Sequence, residues 1–249
     1  MTLLRKKYDH VCSLGQWCTV AIDLRKLGLR SHSGPFDWLG PYVPVTQYLD
    51  MTANGVQGLM LKENLRAVGS NEAEGTIYYR DLVNGFESRH EFRIGVSFDE
   101  NYANYRALLD RRIAWLISTL RSGVKILFVH WHGGEDRYRR GEVVDAVKRI
   151  RAAYPESNID LMVIETEKFA KDVSYEEPEP GVVFAIGDFY DTARFGWVMG
   201  NEKLVLSVLQ KIRVRGRWRN LLRLKLTSIS RRLKHGMSRM CLWKSRQFP

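Results

Sequence analysis

The sequence is short of several things, and each shortage narrows what it can be. It has three cysteines in 249 residues, one of them near the C-terminus. Three thiols make no disulfide framework, and with no signal-peptide pattern this predicts a reducing, cytoplasmic setting. No run approaches the roughly 18–20 apolar residues that span a bilayer, so the chain is expected to be soluble or peripheral. There is no internal repeat, and no Walker or Rossmann glycine fingerprint, so nothing calls for a cofactor. What is present suffices for a core. With 45% hydrophobic and 11% aromatic residues the chain is not disordered, and its length fits one large domain, or one with an appendage.

Acidic residues are missing from one region only. Lys203 to Pro249 holds fourteen Lys and Arg and no Asp or Glu, so residues 1–202 hold the other 25 of 39 basic residues against all 28 acids. The body is slightly acidic, and the net charge of +11 belongs to the C-terminal part. We divide the chain into an α/β domain over 1–212 and a basic tail over 213–249. Wound as a helix, Trp218, Leu222, Leu226, Ile229, Leu233, Met237 and Met240 fall within an arc of about 100°, with Arg217, Arg223, Arg231, Lys234, Arg239 and Arg246 outside it. This predicts an amphipathic helix on an anionic membrane surface, peripheral at the inner membrane face. Nucleic acid ranks below that partner, since no recognition motif accompanies the tail.

Along the body, Asp9 to Leu14 reads as a strand, Gly15-Gln16-Trp17 as a tight turn, and Cys18 as the first residue of a helix. Val20, Leu24 and Leu27 give that helix a buried stripe, and Gly28 stands where a left-handed C-cap would end it. Ser31 to Pro44 reads as an ordered loop anchored by Phe36 and Trp38, with Asp37 between them. Short helices are expected near Val45–Met51 and Gly58–Leu65, and a polar loop over Gly69–Gly75. Thr76–Tyr79 and Glu91–Val96 read as a hairpin turning at Val83-Asn84-Gly85. Asp99 would cap a long helix reaching about Leu120. Val124–Trp131, Ile159–Glu165 and Val182–Ile186 read as strands buried on both sides. A helix over Glu142–Tyr154, an acidic loop over 166–181 and a helix over Gly196–Ile212 lie between and after them. The pattern argues for α/β architecture: a mostly parallel sheet with helices on both faces.

A thiol in the first turn of a helix sits at the positive end of the helix dipole, which favours thiolate and marks Cys18 as a candidate nucleophile. Its competing role is that of a small buried apolar residue. In an open α/β sheet ligands gather beyond the carboxyl ends of the strands. The groups following the proposed strands are Ser13 to Cys18, then His130, His132 and Glu135, then Glu165 and Glu167, then Asp188 and Asp191. Thiol, imidazole and carboxylate are the parts of an activated-nucleophile site, with Gln16 or the Cys18 N–H as oxyanion donor.

Ser13-Leu14-Gly15-x-x-Cys18, then Leu24-Arg25-Lys26-Leu27-Gly28-Leu29-Arg30, then Pro35-Phe36-Asp37-Trp38, resembles the opening signature of a bacterial family described as papain-like cysteine peptidases (DUF1796). The resemblance continues more loosely through Phe86 to Phe92 and the Ile126–Val129 strand, ending near Trp197. It implies a cysteine-nucleophile hydrolase or acyl transferase with Cys18 attacking and His90, followed by Glu91, as base. It also implies an α+β frame, a helical half holding the cysteine and a sheet half the histidine. The strand-end argument favours His132 or His130 instead, and the carboxylate would be Asp37 or Asp188.

Other assemblies compete. His130 and His132, on one side of a strand, could hold a metal with Asp188. Gly133-Gly134 with Arg137, Arg139 and Arg140 could cradle a phosphate. Ser13-Leu14-Gly15 is similar to the nucleophile block of SGNH esterases, but Asp188-Phe189-Tyr190-Asp191 puts Asp where their His would stand. The alternative in a different class is a non-catalytic or glycan-handling accessory protein of membrane-associated polysaccharide synthesis, in which Cys18 is structural.

Overall fold

A computed structural model describes residues 3–15, 18–40, 43–132, 137–189 and 202–222. Its centre is a five-stranded sheet of β2 (His10–Ser13), β6 (Lys125–His132), β7 (Asn158–Thr166), β9 (Val182–Gly187) and β8 (Ser174–Glu179), in that order. The first four run parallel and β8 closes one edge antiparallel. The chain is thus mixed α/β with a mostly parallel central sheet, accompanied by smaller sheets, rather than an α+β molecule split into helical and sheet halves.

The apolar runs explain the middle strands. Every residue from Ile126 to Trp131, Ile159 to Glu165 and Val182 to Gly187 is buried, as for strands covered on both faces. One face carries Cys12, Leu14, Phe128, Leu161 and Phe184, under the helices α2 (Val45–Ala53), α3 (Phe98–Leu120) and α4 (Arg140–Ala153). The other carries Val11, Val129, Trp131, Met162 and Val183, under α1 (Cys18–Lys26) and α5 (Glu202–Leu209).

Between β2 and β6 the chain inserts α1, α2, α3 and a three-stranded antiparallel sheet of β3 (Leu65–Asn71), β4 (Thr76–Asp81) and β5 (Glu87–Arg93). The expected hairpin is therefore the second half of a meander. Two expected loops are strands instead. Over β3 only Leu65 is buried, and β8 alternates half-buried and exposed residues around Pro178. Both are edge strands held by one neighbour, where polar residues and proline are tolerated. Residues 58–64 form turns and a 3-10 segment, Lys62–Asn64, rather than a helix, and Leu65 begins β3. Ser97, not Asp99, caps α3, its side chain accepting the Glu100 N–H. Of the helix expected over Gly196–Ile212, Glu202–Leu209 is described.

The body continues past the boundary expected at residue 212. Arg213 and Val214 form β10, pairing parallel with Lys7 and Tyr8 of β1 (Lys7–Tyr8). Residues 217–222 then pack at the end of α1. Arg217 Nε donates to the Leu27 carbonyl at 2.9 Å, and Asn220 Nδ2 to that of Gly28 at 3.1 Å. Gly28 has φ +66°, and a Cβ there would meet Leu221 Cγ at 2.6 Å. Leu29 N–H bonds to Leu24 O and Gly28 N–H to Arg25 O, the paired bonds of a glycine C-cap. The expected stop at Gly28 is there, and it doubles as a docking point. Most of the expected amphipathic tail, 223–249, lies outside the described residues.

Candidate active site

The turn between β2 and α1 is fixed from below. Leu14 N–H bonds to Val129 O, and Ser13 Oγ accepts the Gly15 N–H at 3.2 Å. Ser13 is 2% exposed; its hydroxyl shapes the turn and does not present itself to a substrate. Gly15 has φ +63°, and a Cβ there would stand 2.7 Å from the Tyr48 ring and 3.0 Å from the Phe36 carbonyl. Only glycine fits that conformation and that space without strain. Gln16, the expected oxyanion donor, lies outside the described residues.

Cys18 opens α1 half-buried, whereas Cys12 is buried within β2. Burial pushes the Cys18 thiol up; its own backbone N–H pulls it down, and Glu74 and Asp23 push it up again. The net direction is upward, against the low value expected from the helix dipole. A thiol so placed is protonated at rest and needs a base.

Glu74 is the residue that sequence reasoning missed. It sits in the turn joining β3 to β4, and its carboxylate is 3.6 Å from His90 Nδ1. His90 lies on β5 with its side chain 42% exposed. One carboxylate thus faces the imidazole and acts on the Cys18 thiol as well. Trp38 stands edge-on to His90, ring centres 5.9 Å apart. The loop carrying Trp38 is joined to β5 by a bridge between Leu39 and Ser88, so its position follows that of the histidine strand. The element types match the resemblance, cysteine on a helix and histidine in an antiparallel sheet, although the frame is a parallel sheet.

The other expected carboxylates are placed differently. Asp37 is fully buried, its Oδ2 taken by Arg30 Nη1 and by the Gly34 N–H at 2.9 Å. Burial pushes its carboxyl up against the pull of Arg30. Arg30 ends the second block of the signature and Asp37 lies in the third, so that ion pair closes one block on the other. Asp37 is tied into the floor of the site, and the carboxylate beside His90 is Glu74. Asp188 Oδ2 accepts the Phe169 N–H at 3.1 Å. It follows β9, three strands from β2, about 14 Å at the usual strand spacing, too far to orient an imidazole beside Cys18.

The two strand-end histidines both lie against Tyr138. His130 is fully buried, with Nδ1 3.0 Å from the Leu14 carbonyl and Nε2 3.0 Å from the Tyr138 hydroxyl. That hydroxyl accepts the Val45 N–H. Burial takes the imidazole down to about 3, so it is neutral: Nδ1–H donates to Leu14 O and Nε2 accepts from Tyr138. With both nitrogens used, His130 is no metal ligand but a tie holding the end of β2. Among the described residues no group of three or more metal-ligating side chains occurs. His132 packs on Tyr138, ring centres 4.2 Å apart. The arginines of the expected phosphate cradle are paired, Arg137 with Glu167, Arg139 with Glu142, and Arg140 with Glu165 and Glu176. Gly133 to Asp136 lie outside the described residues.

A family model described as "Putative papain-like cysteine peptidase (DUF1796)" matches residues 9–166. No curated protein and no solved structure matches the chain. The matched segment begins just before β2 and ends with β7. It includes the positions of Cys18, Trp38, Glu74 and His90.

Proposed function

The chain belongs to the DUF1796 family, and on that premise we propose that it is a cysteine hydrolase of the peptidase type, with Cys18 as nucleophile, His90 as base and Glu74 as the carboxylate that orients the base. The observation that carries this reading is the place of Glu74, acting on both the thiol and the imidazole. With Nδ1 turned to Glu74, the Nε2 atom of His90 is the one left to take the thiol proton. The 3.6 Å separation is an ion-pair distance that shortens when substrate excludes water, as catalytic contacts in unliganded enzymes do.

The steps balance as acyl transfer. His90 removes the Cys18 proton as sulfur attacks the substrate carbonyl carbon. The tetrahedral oxyanion is met by the Cys18 backbone N–H, with Gln16 as second donor. His90 returns the proton to the leaving amine or alcohol, and a thioester remains on Cys18. Water, deprotonated by His90, then attacks the thioester, releasing the acid and restoring the thiol. The raised thiol fits this scheme, because the base is then required and not incidental.

The test is labelling by an electrophilic peptide read by intact mass. One adduct on Cys18 in the wild type, none in Cys18→Ala and at least tenfold slower labelling in His90→Ala is the expected set. Equal labelling of wild type and His90→Ala between pH 6 and 8 would refute the base, and leave the accessory-protein reading in its place.

A further inference from the structure

The amino-terminal edge of the sheet carries a second feature that the chemistry at Cys18 does not use. A groove of about 750 Å³ runs between β1 and the chain after α5, lined by Lys7, Lys211, Arg213 and Arg217 and floored by Leu4, Ile212 and Val214. No carboxylate among the described residues lines it. Lys7 and Arg213 are direct cross-strand partners in the β1–β10 pair, both exposed. Like charges directly opposite each other on neighbouring strands destabilise the pairing, so these two cations repel unless an anion lies between them. Tyr8 and Val214, the next pair in register, are buried. This fixes the register and leaves the cations facing outward.

Beside the groove, Trp218, Leu221 and Leu222 are 62%, 36% and 48% exposed. An indole and leucines next to a cluster of cations is the composition that settles at the boundary of headgroup and acyl chain. The chain runs on from there for residues 223–249, which contain eight Lys and Arg and no acid. Apolar residues continue at helical spacing through Leu226, Ile229 and Leu233. We propose that this groove and the Trp218–Leu222 face dock the protein on an anionic lipid bilayer. The phosphates of the headgroups enter between Lys7 and Arg213, and the Trp and Leu side chains enter the interface. A nucleic acid would satisfy the cations but leave the leucines in water. The docked edge is the far end of α1 from Cys18, a nine-residue helix of about 13 Å, so Cys18 stands at the opposite end of that helix from the docked edge.

The experiment is co-sedimentation of the full chain with phosphatidylcholine vesicles, with and without phosphatidylglycerol, for wild type and Lys7→Glu/Arg213→Glu. Wild type should pellet only with the anionic vesicles and be released by salt. Each cation near such a surface contributes about fivefold in affinity, so the double reversal should weaken binding by more than about tenfold. The neutral pair Lys7→Gln/Arg213→Gln, which relieves the repulsion and so preserves the fold, should weaken it by less. Three results would overturn the proposal: equal binding of wild type and Lys7→Glu/Arg213→Glu, equal binding to neutral vesicles, or tight binding to single-stranded RNA that the reversal abolishes while vesicle binding persists.

Discussion

Replacing Gly15 by alanine tests whether the turn before Cys18 is held as tightly as its surroundings imply. Two penalties apply. A left-handed conformation at φ +63° costs an alanine about 1–2 kcal/mol. The new methyl would also stand 2.7 Å from Tyr48 Cε1, 2.8 Å from its hydroxyl and 3.0 Å from the Phe36 carbonyl, well inside the ~3.5–4.0 Å of ordinary carbon contact. Tyr48 is buried, with its ring against Phe36, Phe86 and His130, and it cannot swing aside, so overpacking adds about 1–3 kcal/mol. Restricting the unfolded chain returns roughly 0.5–1 kcal/mol. The net loss is about 3 kcal/mol, or a fall in Tm of roughly 6–12 °C for a chain of this size. Urea unfolding of Gly15→Ala measures it. The same substitution in a Tyr48→Ala background should cost only the dihedral part, about 1 kcal/mol. A loss below about 1 kcal/mol in the wild-type background, or the same loss in both, would show that Tyr48 does not bear on this turn.

Four further outcomes are expected. Cys18→Ala should abolish hydrolysis with the fold intact by circular dichroism, while Cys12→Ala, whose thiol burial pushes far up, should keep turnover and lose about 1–3 kcal/mol of stability through a small core cavity. Iodoacetamide should alkylate Cys18 with a midpoint above that of a free thiol, and Glu74→Gln should move the midpoint down while slowing hydrolysis about tenfold or more; a midpoint that rises would show that Glu74 does not act on the thiol. His90→Ala should remove the rising limb of the pH–rate profile and His132→Ala should leave it. His130 takes a proton more readily in the unfolded chain, near 6.5, than in the fold, at about 3. Its contribution to stability is therefore complete above about pH 6.5 and is lost as pH falls toward 3, so urea midpoints should drop across that window and drop less in His130→Gln.

The parts of the fold readable in sequence were those whose signal is local. The strand and turn before Cys18, the helix after it and its stop at Gly28 needed only apolar spacing and a glycine. The strands at 125–132, 158–166 and 182–187 declared themselves because both faces are buried. β3 and β8 did not, since a one-sided edge strand needs no apolar pattern and takes its form from its neighbour. The site divides the same way. Cys18 could be found from its position at a helix start, and His90 from resemblance alone. Glu74 could not, because an acid in a turn between two unrecognised strands looks like any solvated loop residue. The strand-end rule pointed to His130 and His132; both nitrogens of His130 are bonded within the fold, and His132 packs on Tyr138, contacts that a strand pattern does not show. The direction of the Cys18 shift was also hidden, since a sequence shows the helix start but not the burial around the sulfur.

Among the described residues β2 has a single neighbour in the central sheet, β6, and the chain between them carries the histidine, the glutamate and all of α3. On the ribosome, then, the strand leading to the cysteine leaves the exit tunnel long before the strand that holds it. At about 5–20 residues per second, the 119 residues separating Ser13 from His132 take roughly 6–24 seconds to be made. For that interval the thiol has neither a fixed position nor an assembled partner. On the proposed reading of Cys18 as nucleophile, activity would wait for β6 to pair, and completion of the sheet would be the event that sets the site.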